Sequence, residues 1–174
     1  MAGLPKMIDP VLLTLVCAAM IAAAAYDAAT LTIPNWISIV LLVLFPVLAF
    51  VSGLSWADTG IHFAVGFGAL VVGIALFATG TIGGGDAKFF AAVALYIGGA
   101  ALPAFVFSVA LAGGVLASFL LGLRWFTKSG FAVQFPWLHH LTTPKAGVPY
   151  GIAIAAGGLM VFPATHLFFL AAGH

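Results

Sequence analysis

From Phe89 to Leu123 the chain runs for 35 residues without a charged side chain, and this run decides what solvent the fold must live in. A helix rises about 1.5 Å per residue, so one continuous helix of this run would reach roughly 50 Å, well past the ~30 Å hydrocarbon core of a bilayer. Gly98-Gly99, followed by Pro103, supply a natural turn inside it. With 64% hydrophobic and 5% charged residues over 174 positions, and a mean hydropathy of +1.28, the chain is not a soluble domain with a polar shell; it is an integral membrane protein.

The punctuation of the remaining apolar runs predicts an all-α fold, a polytopic transmembrane bundle of about six helices, each about 20 residues or somewhat fewer. They fall at about 10–29, 36–51, 61–79, 86–101, 103–123 and 150–171, in one integral membrane domain covering 1–174. Asp9 is placed as the N-cap of the first helix with Pro10 at its first position, and Asp58 as the cap of the third. Lys6 before an apolar stretch that ends at Ala22 to Ala25 could pass for a signal peptide; because Asp27 follows at once, the segment is read as a retained helix. Residues 124–149, with Arg124, Lys128, His139, His140 and Lys145, form the sizeable polar loop. A net charge of +1 with no basic stripe argues against nucleic-acid binding. Cys17, alone in an apolar run, is assigned no chemistry.

Loops after the first, third and fifth helices share one side and carry Lys88, Arg124, Lys128 and Lys145, whereas the other side has Lys6. The positive-inside rule makes the first side cytoplasmic. Asp27 ends the first helix and Asp86 begins the fourth, so both acids belong to that face, with Asp9 and Asp58 opposite. An acid at membrane depth is expensive unless paired, protonated or hydrated, and is a functional-site hypothesis by default. Two carboxylates within a few Å of each other cannot both ionise, and sharing one proton gives an acid and a base able to activate water against a peptide carbonyl. The structural alternatives are that Asp86 merely caps helix four behind Gly83-Gly84-Gly85, and that Asp27 snorkels to the interface. A different functional class, a small proton-coupled transporter or channel subunit with the two acids as a relay, is also open, although a relay calls for acids staggered across the membrane. A purely structural scaffold is the remaining alternative.

Gly83-Gly84-Gly85-Asp86 matches the GxGD signature of intramembrane aspartyl proteases, and Lys88 extends it to GxGDxK. Asp27 followed by Ile33-Pro34-Asn35 is similar to the first-aspartate segment of the prepilin peptidase (type IV leader peptidase) branch, as is Pro149-Tyr150-Gly151 at the last helix. The resemblance covers nearly the whole chain. It implies a multi-pass endopeptidase of the bacterial inner membrane, with Asp27 and Asp86 catalytic at the cytoplasmic side. Gly83, Gly84, Gly85, Lys88, Pro34, Asn35, Pro149, Tyr150 and Gly151 would then shape the site or bind substrate. The implied partners are a prepilin or pseudopilin precursor helix in the bilayer and membrane lipid, and no metal or organic cofactor is implied. Larger members carry an N-terminal region with paired Cys-x-x-Cys motifs and also methylate the product; this chain lacks those cysteines, resembles the minimal form of Tad (Flp) pilus systems, and is not expected to be a methyltransferase. Residues 28–32 also lack the basic residue often found there, which bears on substrate recognition. Tyr26-Asp27 is similar to the YD motif of the presenilin branch, whose Pro-Ala-Leu motif is absent.

Other features read more simply. His139-His140 do not share a helical face and have no neighbouring acid or cysteine, so they read as a solvated loop. Lys88 either anchors helix four at the interface or draws negative charge. Trp36, Trp56, Trp125 and Trp137 suit an interfacial belt, and Gly66, Gly68, Gly73, Gly113 and Gly114 suit close helix packing.

Overall fold

The computed structural model describes residues 5–128 and 147–173. Among these there is no strand, and the expected all-α membrane bundle is what forms. Its elements are α1 (Pro5–Thr30), α2 (Asn35–Val51), α3 (Trp56–Ala78), α4 and α5 (84–97 and 99–128, the two limbs of Gly84–Lys128), α6 (Tyr150–Val161), a 3₁₀ turn (Phe162–Ala164) and α7 (His166–Ala172). By length and composition, Asp9–Thr30, Trp56–Ala78 and Gly84–Trp125 can cross a membrane; α6 with its turn and α7 passes the same test as one segment bent by 64°.

The long uncharged run folds back where the glycines predict. Gly98 adopts φ 70° and ψ 174°, a left-handed φ open to glycine and costly for other residues. Phe90 and Phe105 would lie about 22 Å apart along an unbroken helix, yet their rings stack with centroids 4.9 Å apart. The Leu95 carbonyl, three residues before the break, accepts a hydrogen bond from His62 Nδ1 at 2.6 Å. The same imidazole would lie 2.6 Å from a Cβ at position 98, so Gly98 is required by space as well as by φ.

α4 is the central helix. Every residue from Ala91 to Gly98 is buried, as expected of a helix that is apolar all round. Glycines bring its neighbours close: a Cβ at Gly66 would stand 3.2 Å from Leu95, one at Gly73 2.9 Å from Ala87, and one at Gly158 2.7 Å from Val93. The α2 side is joined by Tyr96, whose hydroxyl donates to the Leu41 carbonyl at 2.6 Å, inside a cluster of Phe45, His62 and Phe162 rings. Gly113 also packs closely, against Tyr150, but a Cβ added at Gly68 or Gly114 would meet no heavy atom within 4 Å among the described residues, so the packing role expected for those two is not found.

Several helix ends differ from expectation. α1 begins at Pro5, so Asp9 and Pro10 lie within it rather than at its start; Asp9 is not a cap but a buried side chain whose Oδ1 has no partner among the described residues. α3 begins at Trp56 because Ser55 is the cap. The Ser55 hydroxyl accepts from the Asp58 N–H at 3.0 Å and donates to Asp58 Oδ2 at 2.7 Å, so Asp58 is the third residue of α3, bonded to the cap, and not the cap itself. α5 starts at residue 99, so Pro103 is its fifth residue and lies inside the helix rather than opening it. The single last helix expected over 150–171 is broken at Phe162–Ala164, where Pro163 lacks an N–H to donate and Thr165 starts α7 by accepting from the Phe168 N–H at 3.2 Å.

Candidate active site

Asp27 lies in the last turn of α1 and is 3% exposed. Its Oδ2 accepts the backbone N–H of Gly151 at 2.6 Å. Gly151 is the second residue of α6, where N–H groups have no partner within the helix and the dipole is positive, so a carboxylate is favoured there. A Cβ at Gly151 would stand 2.8 Å from that oxygen and 2.7 Å from Ile33 Cδ1. This explains Pro149-Tyr150-Gly151 physically: Pro149 precedes the helix, Tyr150 opens it, and glycine lets its second N–H reach the carboxylate.

Asp86 is the third residue of α4 rather than its N-cap, the place given it by the structural alternative to a catalytic role. It reaches back instead, its Oδ2 accepting the Gly83 N–H at 3.3 Å. The three glycines before it act through space rather than through unusual backbone angles, since none has a positive φ. A Cβ at Gly83 would come within 2.9 Å of Asp86 Oδ2, and one at Gly85 within 3.3 Å of the Ile33 carbonyl oxygen; Gly84 has only ordinary contact with Phe77. Gly73 packs on Ala87, so Asp86 lies about 6 Å inside the end of α3 at Ala78.

The α1–α2 link joins the two acids. Leu31 takes a left-handed φ of 54° and its N–H bonds the Asp27 carbonyl at 2.8 Å, ending α1 and turning the chain into Ile33. Buried Ile33 then packs against both Gly85 and Gly151, the residues adjoining Asp86 and holding Asp27. Pro34, extended at φ −62° and ψ 135°, precedes α2. Asn35 Oδ1 accepts from Lys88 Nζ at 3.0 Å, so Lys88 ties α4 to α2. Asp27, Asp86, Pro34, Asn35, Gly83, Gly84, Gly85, Lys88, Pro149, Tyr150 and Gly151 therefore gather at one end of the bundle.

Two apolar grooves reach this end on different sides of α4. One, of about 540 Å³, lies between α3, α4, α5 and α6 and has Asp86, Ile82 and Tyr150 along it. The other, of about 490 Å³, lies between α2, α3 and α4 and ends at Asn35, Ser38 and Lys88. Trp36, Trp56 and Trp125 are exposed near helix ends, as a belt requires. His139, His140, Lys145 and Trp137 lie outside the described residues. Among the described residues, no three of His, Cys, Asp and Glu are grouped to hold a metal. Sequence reasoning quoted Ile33 in the segment after Asp27 without giving it a place in the site, and passed over His62 altogether, because their packing partners are remote in the chain.

A family model described as the type IV leader peptidase family matches residues 14–118, more than half of the chain, and this span includes both Asp27 and Asp86. No match was found among curated proteins or among solved structures.

Proposed function

Since the chain belongs to the type IV leader peptidase family, we propose that it is a membrane-embedded aspartyl endopeptidase that removes the leader from type IV pilin-like precursors, with Asp27 and Asp86 as its catalytic pair. The observation that carries this reading is the convergence of the two acids, from helix ends 59 positions apart, around Ile33 at one end of the bundle. Each carboxylate is fixed through one oxygen by a backbone N–H. Such anchoring presents the pair to a bound water without a side-chain rearrangement.

In the reaction, the ionised member of the pair takes a proton from the water as its oxygen attacks the scissile carbonyl carbon, and the protonated member donates to the carbonyl oxygen. Collapse of the tetrahedral intermediate breaks the C–N bond as the proton held by the first carboxylate passes to the leaving amine and the second carboxylate takes back a proton from a hydroxyl, which restores the singly protonated pair. The two acids titrate as a unit, so the proton belongs to the pair. Apolar surroundings strengthen these charge effects relative to water.

The cytoplasmic face of a bacterial inner membrane is the side we assign to the pair. Lys88 bonds to Asn35, and Arg124 donates to the Gly147 carbonyl at 3.1 Å, just before Pro149; positive residues thus cluster at the end that carries the acids, as the positive-inside rule requires of a cytoplasmic face. The precursor's basic leader would remain on this side while its apolar segment stays in the bilayer, in keeping with the minimal Tad (Flp) form. Purified protein in detergent or vesicles should shorten a pilin precursor at the leader boundary, read by mass spectrometry of both fragments. An intact precursor, with proton flux through vesicles holding the same protein, would replace this reading by the relay.

A further inference from the structure

Between α1 and α2 the chain passes through Leu31, Thr32, Ile33 and Pro34, and of these only Ile33 is buried. Its two contacts at the site are made by different atoms. A Cβ at Gly85 would meet the Ile33 carbonyl oxygen at 3.3 Å and its N and Cβ at 3.4 Å, so the backbone of residue 33 sets how closely the start of α4 approaches. A Cβ at Gly151 would meet Ile33 Cδ1 at 2.7 Å, so at the start of α6 the contact is the far end of the side chain. Each of these glycines is tied to one acid. Gly85 precedes Asp86 in the chain, and the Gly151 N–H is the 2.6 Å donor to Asp27. The link is also fastened on both sides of Ile33: the Leu31 N–H bonds the Asp27 carbonyl, and Asn35 accepts from Lys88, two residues beyond Asp86.

We propose that Ile33 is a positioning residue for the acid pair, a spacer whose backbone seats the helix of Asp86 and whose Cδ1 seats the N–H that holds Asp27, so that the reach of one side chain sets the distance between the two carboxylates. The assignment rests on the peptidase reading above and adds to it the part that fixes the geometry of its pair. A spacer differs from a core residue in what it controls. Packing asks for an apolar side chain of suitable volume, as at Ile37 in the first turn of α2, which is fully buried and is not among the atoms nearest either glycine. Positioning asks for reach, because a displacement of about 1 Å between reacting groups costs up to about a hundredfold in rate.

Ile33→Val removes Cδ1 and leaves the β-branch and the backbone contact to Gly85. On a pilin precursor its kcat, per folded protein, should fall by about tenfold with KM within about twofold of wild type, the signature of lost transition-state geometry rather than lost binding. One limb of its pH–rate profile should move by about half a pH unit or more, because an altered distance changes how the two acids share their proton. Ile37→Val, the same loss of one carbon in the core, should keep the wild-type kcat and profile. Protein carrying isotope-labelled glycine gives a readout that needs no cleavage: the Gly151 amide signal, identified by its loss in Gly151→Ala, should move in Ile33→Val and stay in place in Ile37→Val. Wild-type kcat and pH profile in a folded Ile33→Val protein, an equal loss of kcat in Ile37→Val, or an unmoved Gly151 amide would overturn the assignment. If the unmodified protein cleaves no precursor, the peptidase reading fails instead, and the Gly151 amide still reports whether Ile33 sets the contact to Asp27.

Discussion

At the scale of single residues, the site depends on what is missing from side chains as much as on what is present. Gly151→Ala would place a Cβ within 2.8 Å of Asp27 Oδ2 and 2.7 Å of Ile33 Cδ1, so the start of α6 must retreat from the carboxylate. Leader cleavage should fall by about tenfold or more, and stability by about 1–3 kcal/mol, the usual range for overpacking; turnover assays and thermal unfolding in detergent check the two separately. Leu31 gives the opposite case. Its φ of 54° costs a non-glycine residue about 1–2 kcal/mol, so Leu31→Gly should raise stability by up to about 1 kcal/mol in the same unfolding measurement, part of the gain being lost to the freer unfolded chain. The acids were legible in the sequence because carboxylates are rare in apolar segments. Their anchors were not: Gly151 lies 124 positions from Asp27, and only the folded chain brings its N–H there.

At the scale of elements, the reversal between α4 and α5 is the feature on which the placement of Asp86 depends, because it sets the depth of α4 between its neighbours. Gly98→Ala must take a φ of 70° and displace the His62 ring, 2.6 Å from the new Cβ. The loss should be about 2–4 kcal/mol from the two effects together. His62→Ala should cost about 1–3 kcal/mol for the Leu95 carbonyl left without its donor; a shared mechanism would make the double variant less destabilised than the two losses added, as unfolding of all three variants would show. The all-helical fold and the turn at Gly98 could be read from the sequence, since uncharged length and glycine position have direct physical meaning. Ends were harder. Ser55 outcompeted Asp58 as the cap because Asp58 bonds the Ser55 hydroxyl from three residues on, and Pro163 broke the last helix where hydropathy alone gave no sign of a break.

At the scale of the whole molecule, the proposed catalytic acids share one end of the bundle. Asp27, Asp86, Lys88 and Arg124 are all at that end, and the family match spans both acids. A cysteine at position 128, in a background where Cys17 is replaced by alanine, should react with an impermeant reagent only from the cytoplasmic side; labelling from outside would reverse the orientation and the assigned face of the site. The catalytic pair itself is tested most directly by the rate of leader cleavage in four variants, Asp9→Asn, Asp27→Asn, Asp58→Asn and Asp86→Asn, each confirmed as folded in detergent. Asparagine keeps the size of the side chain and removes the ionisable proton, so Asp27→Asn and Asp86→Asn should each lose at least about a hundredfold in rate, the scale of general acid–base catalysis. Asp9→Asn and Asp58→Asn should stay within about twofold of wild type, since neither acid belongs to the pair: Asp9 is buried within α1 and Asp58 bonds Ser55 at the start of α3. Wild-type cleavage by a folded Asp27→Asn or Asp86→Asn protein would contradict the account.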